Sequence, residues 1–237
     1  MKQCKIAVLD YGMGNIHSII KALRLFASDV VFTADPSHIK AADALVLPGD
    51  GAFEAAMQGL AGSEGMQSTL LEKVSAGTPL LGVCIGFQIL FTDSNECFEA
   101  HVLGDSSALE NSATDNPVNK EAGDHSGTLP GLGLIPGHIR RFPFAAGDQR
   151  VPHMGWNTLQ FREPSDAFAQ AADEYVYFIH SYRAVQVPDE FVVAHCDYAG
   201  DIFPAMVRRD NILATQFHPE KSAAVGLRMI ERWVESV

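Results

Sequence analysis

The chain has 237 residues, with 29 acidic side chains against 17 basic ones, a net charge of -12, and 47% hydrophobic against 19% charged residues. That balance excludes non-specific nucleic-acid binding and adsorption to an anionic membrane, because no cationic surplus exists to neutralise phosphates. The length suits one domain spanning 1–237 with a substantial core, and the four cysteines, Cys4, Cys84, Cys97 and Cys196, lack the paired spacing of a zinc site or a disulfide framework.

No apolar run reaches the ~18 residues of a membrane helix. After Met1-Lys2-Gln3-Cys4 the chain goes straight into an apolar segment, so the expectation is a reduced, cytoplasmic protein with no metal and no cofactor. The first strand is Lys5-Ile6-Ala7-Val8-Leu9, closed by Asp10-Tyr11-Gly12-Met13-Gly14. Ile16, Ile19, Ile20, Leu23 and Phe26 then fall on one helical stripe, with Asn15 as the expected N-cap. Residues 29–33 and 44–47 read as the next strands, the latter stopped by Pro48-Gly49. A helix over 66–76 leads to a fourth strand at 79–83. These strands are short continuous apolar runs alternating with helices, the pattern of a parallel sheet buried on both faces.

The second half carries strands with few helices between them, at 137–142, 155–161, 175–180 and 191–198. Residues 205–208 and 212–217 flank Arg209-Asp210-Asn211, which reads as a hairpin turn. An amphipathic helix with Val225, Met229, Ile230, Trp233 and Val237 on one side ends the chain. The expected fold is therefore three-layer α/β, its sheet mostly parallel with antiparallel additions in the second half. One stretch departs from it. Residues 93–127 hold eight acids and one base, Lys120, and the composition of about 97–128 reads as a flexible surface insertion.

The segment Leu80-Leu81-Gly82-Val83-Cys84-Ile85-Gly86-Phe87-Gln88 runs an apolar strand into a small-residue turn that holds a cysteine. Flanking glycines permit the sharp turn of a nucleophile elbow, and the partial positive charge at a helix start favours a thiolate. Taken alone, the segment favours a nucleophile, with a small buried core cysteine as the alternative. Thr215-Gln216-Phe217-His218-Pro219-Glu220 supplies a histidine at a strand end and an acid two residues on that could orient it. In Leu47-Pro48-Gly49-Asp50-Gly51, two glycines would let backbone N–H groups turn toward an oxyanion. A carboxylate there would oppose the thiolate, so the Asp50 side chain is expected to point away from Cys84. Gly12-Met13-Gly14 is not a dinucleotide fingerprint, since His17 stands where the third glycine belongs. A cysteine peptidase and a non-catalytic binding module remain open on the residues alone.

Together the motifs place the chain in resemblance to the class I, triad-type glutamine amidotransferases. The resemblance rests on Asp10-Tyr11-Gly12-Met13-Gly14-Asn15, the Cys84 segment, Gly131-Leu132-Gly133-Leu134-Ile135-Pro136-Gly137, Pro152-His153-Met154-Gly155-Trp156-Asn157, His180-Ser181-Tyr182-Arg183 and Gln216-Phe217-His218-Pro219-Glu220-Lys221-Ser222. Within that class it is most similar to the glutaminase subunits of imidazole glycerol phosphate synthase, of histidine biosynthesis. The resemblance implies a flavodoxin-like fold and hydrolysis of L-glutamine through a Cys84 thioester, with His218 as base and then acid, and Glu220 behind it. It also implies an oxyanion hole from Ile85 and Asp50, substrate contacts from Gly49, Gln88, Glu96, Ser181 and Tyr182, and ammonia transfer to a (β/α)₈-barrel cyclase. That cyclase would form a heterodimer facing Trp156, Asn157 and Tyr177. A paralogue feeding a sugar-amidating synthase would share the triad. Two departures stand out: residues 97–128 intervene where the family has a few residues, and Asp50 replaces a small apolar residue such as valine.

Overall fold

A computed structural model of the chain describes residues 2–96, 127–144 and 151–237. The strands β1 (Lys2–Leu9), β2 (Ala27–Thr33), β3 (Ala44–Leu47) and β4 (Leu80–Val83) alternate with helices α1 (His17–Leu23), α2 (Pro36–Lys40), α3 (Phe53–Gly62), α4 (Met66–Ser75) and α5 (Ile85–Gln88). Then come β5 (Asp93–Ser94), β6 (Leu129–Pro130), β7 (His138–Arg141), β8 (His153–Thr158), β9 (Gln160–Phe161), β10 (Tyr175–His180) and β11 (Tyr182–Val185). The last elements are β12 (Val192–Tyr198), β13 (Asp201–Arg209), β14 (Ile212–Thr215) and α6 (Ala223–Ser236).

The main sheet has the order β2-β1-β3-β4-β14-β13-β12-β9. Its first five strands are mutually parallel and the other three antiparallel, as the sequence led one to expect. Alternation along β1 explains the three layers. Ile6 and Val8 pack with Ile19 and Leu23 of α1 and with Val225, Met229 and Trp233 of α6. Ala7 and Leu9 pack on the opposite face with Ile39 of α2, Phe53 and Leu60 of α3, Met66 and Leu70 of α4, and Phe87 of α5. Burying both faces of a sheet requires apolar residues at consecutive positions, and β3 and β4 are buried throughout. A small sheet of order β11-β7-β5-β6 and a ribbon of β8 with β10 complete the second half.

Among the described residues no helix is long and apolar enough to cross a membrane. Most of the acidic stretch expected to form a loop, residues 97–126, lies outside the described residues. The hairpin turn is present, with Asp210 in the left-handed region at φ 51° between β13 and β14. Asn15 is a correction. It stands at φ 57° ahead of the α1 N-cap, Ile16, and its side chain reaches Asp50 instead of capping the helix.

Candidate active site

β4 delivers Cys84 at the carboxyl end of the parallel sheet, beside β14, whose Thr215 carbonyl accepts the Cys84 N–H at 2.9 Å. Cys84 itself takes φ 54°, ψ -104°, a conformation that costs a non-glycine residue roughly 1–3 kcal/mol. Close packing on both sides enforces it. A Cβ on Gly86 would stand 1.9 Å from the Leu47 carbonyl oxygen, and one on Gly82 2.8 Å from that of Gly86. The helix that follows is a single turn, Ile85–Gln88. Its first N–H, on Ile85, has no helical carbonyl to bond, which leaves a donor beside the thiol.

His218 leaves the end of β14 through Phe217, and its N–H donates to the Tyr177 carbonyl at 2.9 Å. Its ring is buried, with Nδ1 2.8 Å from Glu220 Oε1. That contact fixes Nδ1 as the proton-bearing nitrogen and turns Nε2 toward Cys84 and Asp50. Burial alone would lower the His218 pKa. The negative charge of a Cys84 thiolate and then that of Glu220 outweigh it, lifting the value to about 10.

Asp50 overturns the expectation for its side chain. Its Oδ1 lies 3.2 Å from His218 Nε2, while Oδ2 accepts from Asn15 Nδ2 at 2.8 Å and meets Lys221 Nζ at 3.2 Å. The physical reason is the Lys221 ammonium, which offsets the charge that should have driven the carboxylate away from Cys84. Gly49 and Gly51 flank it at φ 141° and φ 144°, a region open essentially to glycine. A Cβ on Gly49 would also lie 2.7 Å from Met13 Cβ. One residue upstream, the buried Tyr11 hydroxyl donates to the Pro48 carbonyl and anchors the strand.

A cavity of about 390 Å³ opens onto Cys84 and gathers Asp50, Ile85, Gln88, Glu96, Ser181 and Tyr182 on its walls. Gly49 stands beside it, against Ile85. Gln88 is buried, and its Nε2 donates to the Tyr182 carbonyl at 3.2 Å and to Gln216 Oε1 at 3.0 Å. Glu96 Oε2 accepts the N–H of Phe53, the first residue of α3, at 3.0 Å. On the same wall, His180 Nδ1 bonds the Tyr182 carbonyl at 2.8 Å, and its Nε2 faces the buried His153 Nδ1 at 3.0 Å. Burial pushes His180 down to about 3 and His153 to about 4, so both rings are neutral and His153 is the donor of the pair.

Trp156, Asn157 and Tyr177 come together on the β8–β10 ribbon, where Tyr177 pairs with Trp156 and the two rings meet edge-on at 5.8 Å. Asn157 instead turns its amide to the Asp197 carbonyl at 2.8 Å. Met154, Trp156, Tyr175 and Ile179 are exposed on the same ribbon. Sequence reasoning missed Arg141, Pro152, Ile179 and His180 on the cavity wall, and Asn15, Gln216 and Lys221 as partners of the central residues. Pro152, His180, Asn15, Gln216 and Lys221 all lay inside quoted motifs, so motif membership was the available signal. Arg141 and Ile179 carried none.

Comparison with known proteins gives the family. The family model for class-I glutamine amidotransferases matches residues 7–236. The HisH subunit of imidazole glycerol phosphate synthase from Methanothermobacter thermautotrophicus is 41% identical over 232 residues, covering 98% of each chain. The HisH subunit from Synechococcus sp. is 38% identical and covers 100% of this chain and 96% of its own. A crystal structure of a glutamine amidotransferase superposes with a TM-score of 0.65 at 18% identity, covering 97% of this chain and 98% of its own, and shows the shared fold. The chain belongs to the class-I glutamine amidotransferase family, among the HisH subunits of imidazole glycerol phosphate synthase.

Proposed function

We propose that this chain is the glutaminase subunit of an imidazole glycerol phosphate synthase, a cytoplasmic enzyme that hydrolyses L-glutamine to glutamate and passes the ammonia to a (β/α)₈-barrel cyclase in a heterodimer. The observation that carries the proposal is His218, buried between Glu220 on one nitrogen and Cys84 on the other side, beside a cavity of about 390 Å³. The Cys84 thiolate adds to the side-chain amide carbon of glutamine. The oxyanion is met by the Ile85 N–H and, once the Gly49–Asp50 peptide turns, by the Asp50 N–H. His218 gives its proton to the leaving nitrogen, ammonia departs and a thioester remains. The same imidazole then takes a proton from water, which attacks the thioester and releases glutamate.

Gly49, Gln88, Glu96, Ser181 and Tyr182 hold the substrate's amino-acid end, with Glu96 suited to its ammonium. Arg141 brings positive charge to the same cavity for the α-carboxylate. Trp156 and Tyr177 offer the cyclase an aromatic edge next to the catalytic histidine, since the Tyr177 carbonyl bonds the His218 N–H. Steady-state release of glutamate from glutamine, by the chain alone and with its co-expressed cyclase and nucleotide ligand, tests the proposal. Hydrolysis of peptides in preference to glutamine would overturn it.

A further inference from the structure

Cys84, Asp50 and His218 come from three separate segments, yet their Sγ, carboxylate oxygen and ring nitrogen all lie within 4.8 Å of one another. A tetrahedral zinc ion, with bonds of about 2.3 Å to sulfur and about 2.0–2.2 Å to nitrogen and oxygen, sets its ligand atoms about 3.4–3.6 Å apart. The Nε2–Oδ1 separation is already 3.2 Å. The other two separations, at most 4.8 Å, need to close by about 1.4 Å at most.

The second observation is His218 Nε2 itself. His218 is 1% exposed, and the neighbours its Nε2 faces are the other two members of the cluster, Asp50 Oδ1 at 3.2 Å and Cys84 Sγ within 4.8 Å. Its orientation is fixed from outside by Glu220 on Nδ1, the arrangement that sets the tautomer of a metal-binding histidine. Asp50 is held likewise: Asn15 and Lys221 occupy Oδ2, which leaves Oδ1 turned to Nε2. With zinc bound and the Nε2 and thiol protons released, the thiolate and the carboxylates of Asp50 and Glu220 bring three negative charges around a neutral imidazole, and Lys221 offsets one. The remaining charge matches a dication. Thiolate and imidazole ligands select zinc over magnesium or calcium.

We infer that Cys84, His218 and Asp50 form a three-ligand site for a zinc ion, and that its occupancy withdraws the nucleophile and its base from glutamine hydrolysis. The fourth position faces the cavity, where water completes the coordination. The inhibitory half rests on the proposed glutaminase function; the binding half rests on the three ligands alone.

Metal-free full-length chain, titrated with zinc chloride against a chromophoric chelator, should bind one zinc per chain. Cobalt(II) in its place should give thiolate-to-metal charge-transfer absorption and a tetrahedral d–d spectrum. Asp50→Val should weaken zinc binding by about a hundredfold or more, since loss of an outer-shell partner alone costs roughly 10- to 100-fold, with Asp50→Asn as the second variant if valine disturbs folding by circular dichroism. Cys84→Ser should abolish the charge-transfer band, and Cys97→Ser should retain it. Zinc should inhibit glutamine hydrolysis with an inhibition constant equal to its Kd, reversed by chelator. Affinity unchanged in both Asp50 variants, or a charge-transfer band surviving Cys84→Ser, would overturn the site. Zinc bound without inhibition would overturn its assignment to the nucleophile. No glutaminase activity in zinc-free buffer even with the cyclase and its nucleotide ligand present would count against the proposed function, and the titration would still judge the site.

Discussion

Asp50 Oδ1 lies 3.2 Å from Nε2 of His218, opposite the Glu220 oxygen that stands 2.8 Å from Nδ1, so one imidazole is flanked by carboxylates at both nitrogens. Glu220 orients the ring. Asp50 instead sits within 4.8 Å of the Cys84 sulfur, where its charge opposes the thiolate and the oxyanion formed from it. At that separation and an effective dielectric near 20 the repulsion is about 3 kcal/mol, and Lys221 cancels roughly half. Asp50→Asn keeps the shape and the backbone N–H while removing the charge. It should raise kcat/KM for basal glutamine hydrolysis by roughly tenfold. A fall in kcat/KM would show that the carboxylate's hold on His218 matters more than its repulsion.

The proposed triad makes a graded prediction. Cys84→Ala should remove activity by roughly 10⁵- to 10⁶-fold, and His218→Ala by nearly as much, because nucleophile and base act as a unit. Glu220→Ala should be one to two orders of magnitude milder, since it orients the ring without touching substrate. Single-turnover assays with folded variants would measure the grading. Equal losses at Glu220 and His218 would assign Glu220 a role beyond orientation.

Stability should depend on pH through opposite histidine shifts. The His218 pKa is raised from 6.5 to about 10, so its contribution is fully present below pH 6.5 and is lost as pH rises through 10. His180 and His153 are lowered to about 3 and about 4. Between those values and 6.5 the unfolded chain binds more protons, so stability falls as pH drops through that window. Melting temperatures across pH 4–10 should therefore decline on both limbs. His218→Gln should flatten the alkaline limb and His153→Gln the acid one. Unaltered limbs in these variants would assign the slopes to other groups.

What the sequence made legible divides by range. Strands β1, β3, β4 and β14 could be read because burial on both faces demands unbroken apolar runs, and Cys84 because its elbow is local. Helix α2 was passed over at five residues, although Asp35 caps it by accepting the Ser37 N–H at 2.8 Å. Helix α3 was hidden by glycines that look like breakers. One of them, Gly59, is instead demanded by packing, since a Cβ there would lie 1.9 Å from the Tyr11 carbonyl oxygen. The Asp50 orientation was misjudged because its counter-charge, Lys221, is 171 positions away and no spacing rule connects them.

The last prediction concerns coupling to the cyclase. Ammonia released without an acceptor is wasted, so a subunit of this kind gains from an oxyanion hole completed only on demand. In the proposed mechanism the Gly49–Asp50 peptide takes that role. Tyr11 pins the Pro48 carbonyl just upstream, while glycines at φ 141° and φ 144° on either side of Asp50 allow the peptide between them to turn. Asn15 and Lys221 tether the Asp50 side chain, so turning the peptide means moving or straining those contacts. The energy must come from a partner that binds the turned state better. One oxyanion donor is worth roughly 10²- to 10³-fold in rate. The lone chain should therefore hydrolyse glutamine at least about a hundredfold more slowly than the complex with the cyclase's nucleotide ligand. Gly51→Ala should abolish most of the stimulation while leaving the slow basal rate, because an alanine at φ 144° disfavours the hinge without touching Cys84 or His218. Glutamate release measured for the lone chain, the binary complex and the liganded complex decides it. Full activity in the lone chain, or undiminished stimulation in Gly51→Ala, would sink the switch.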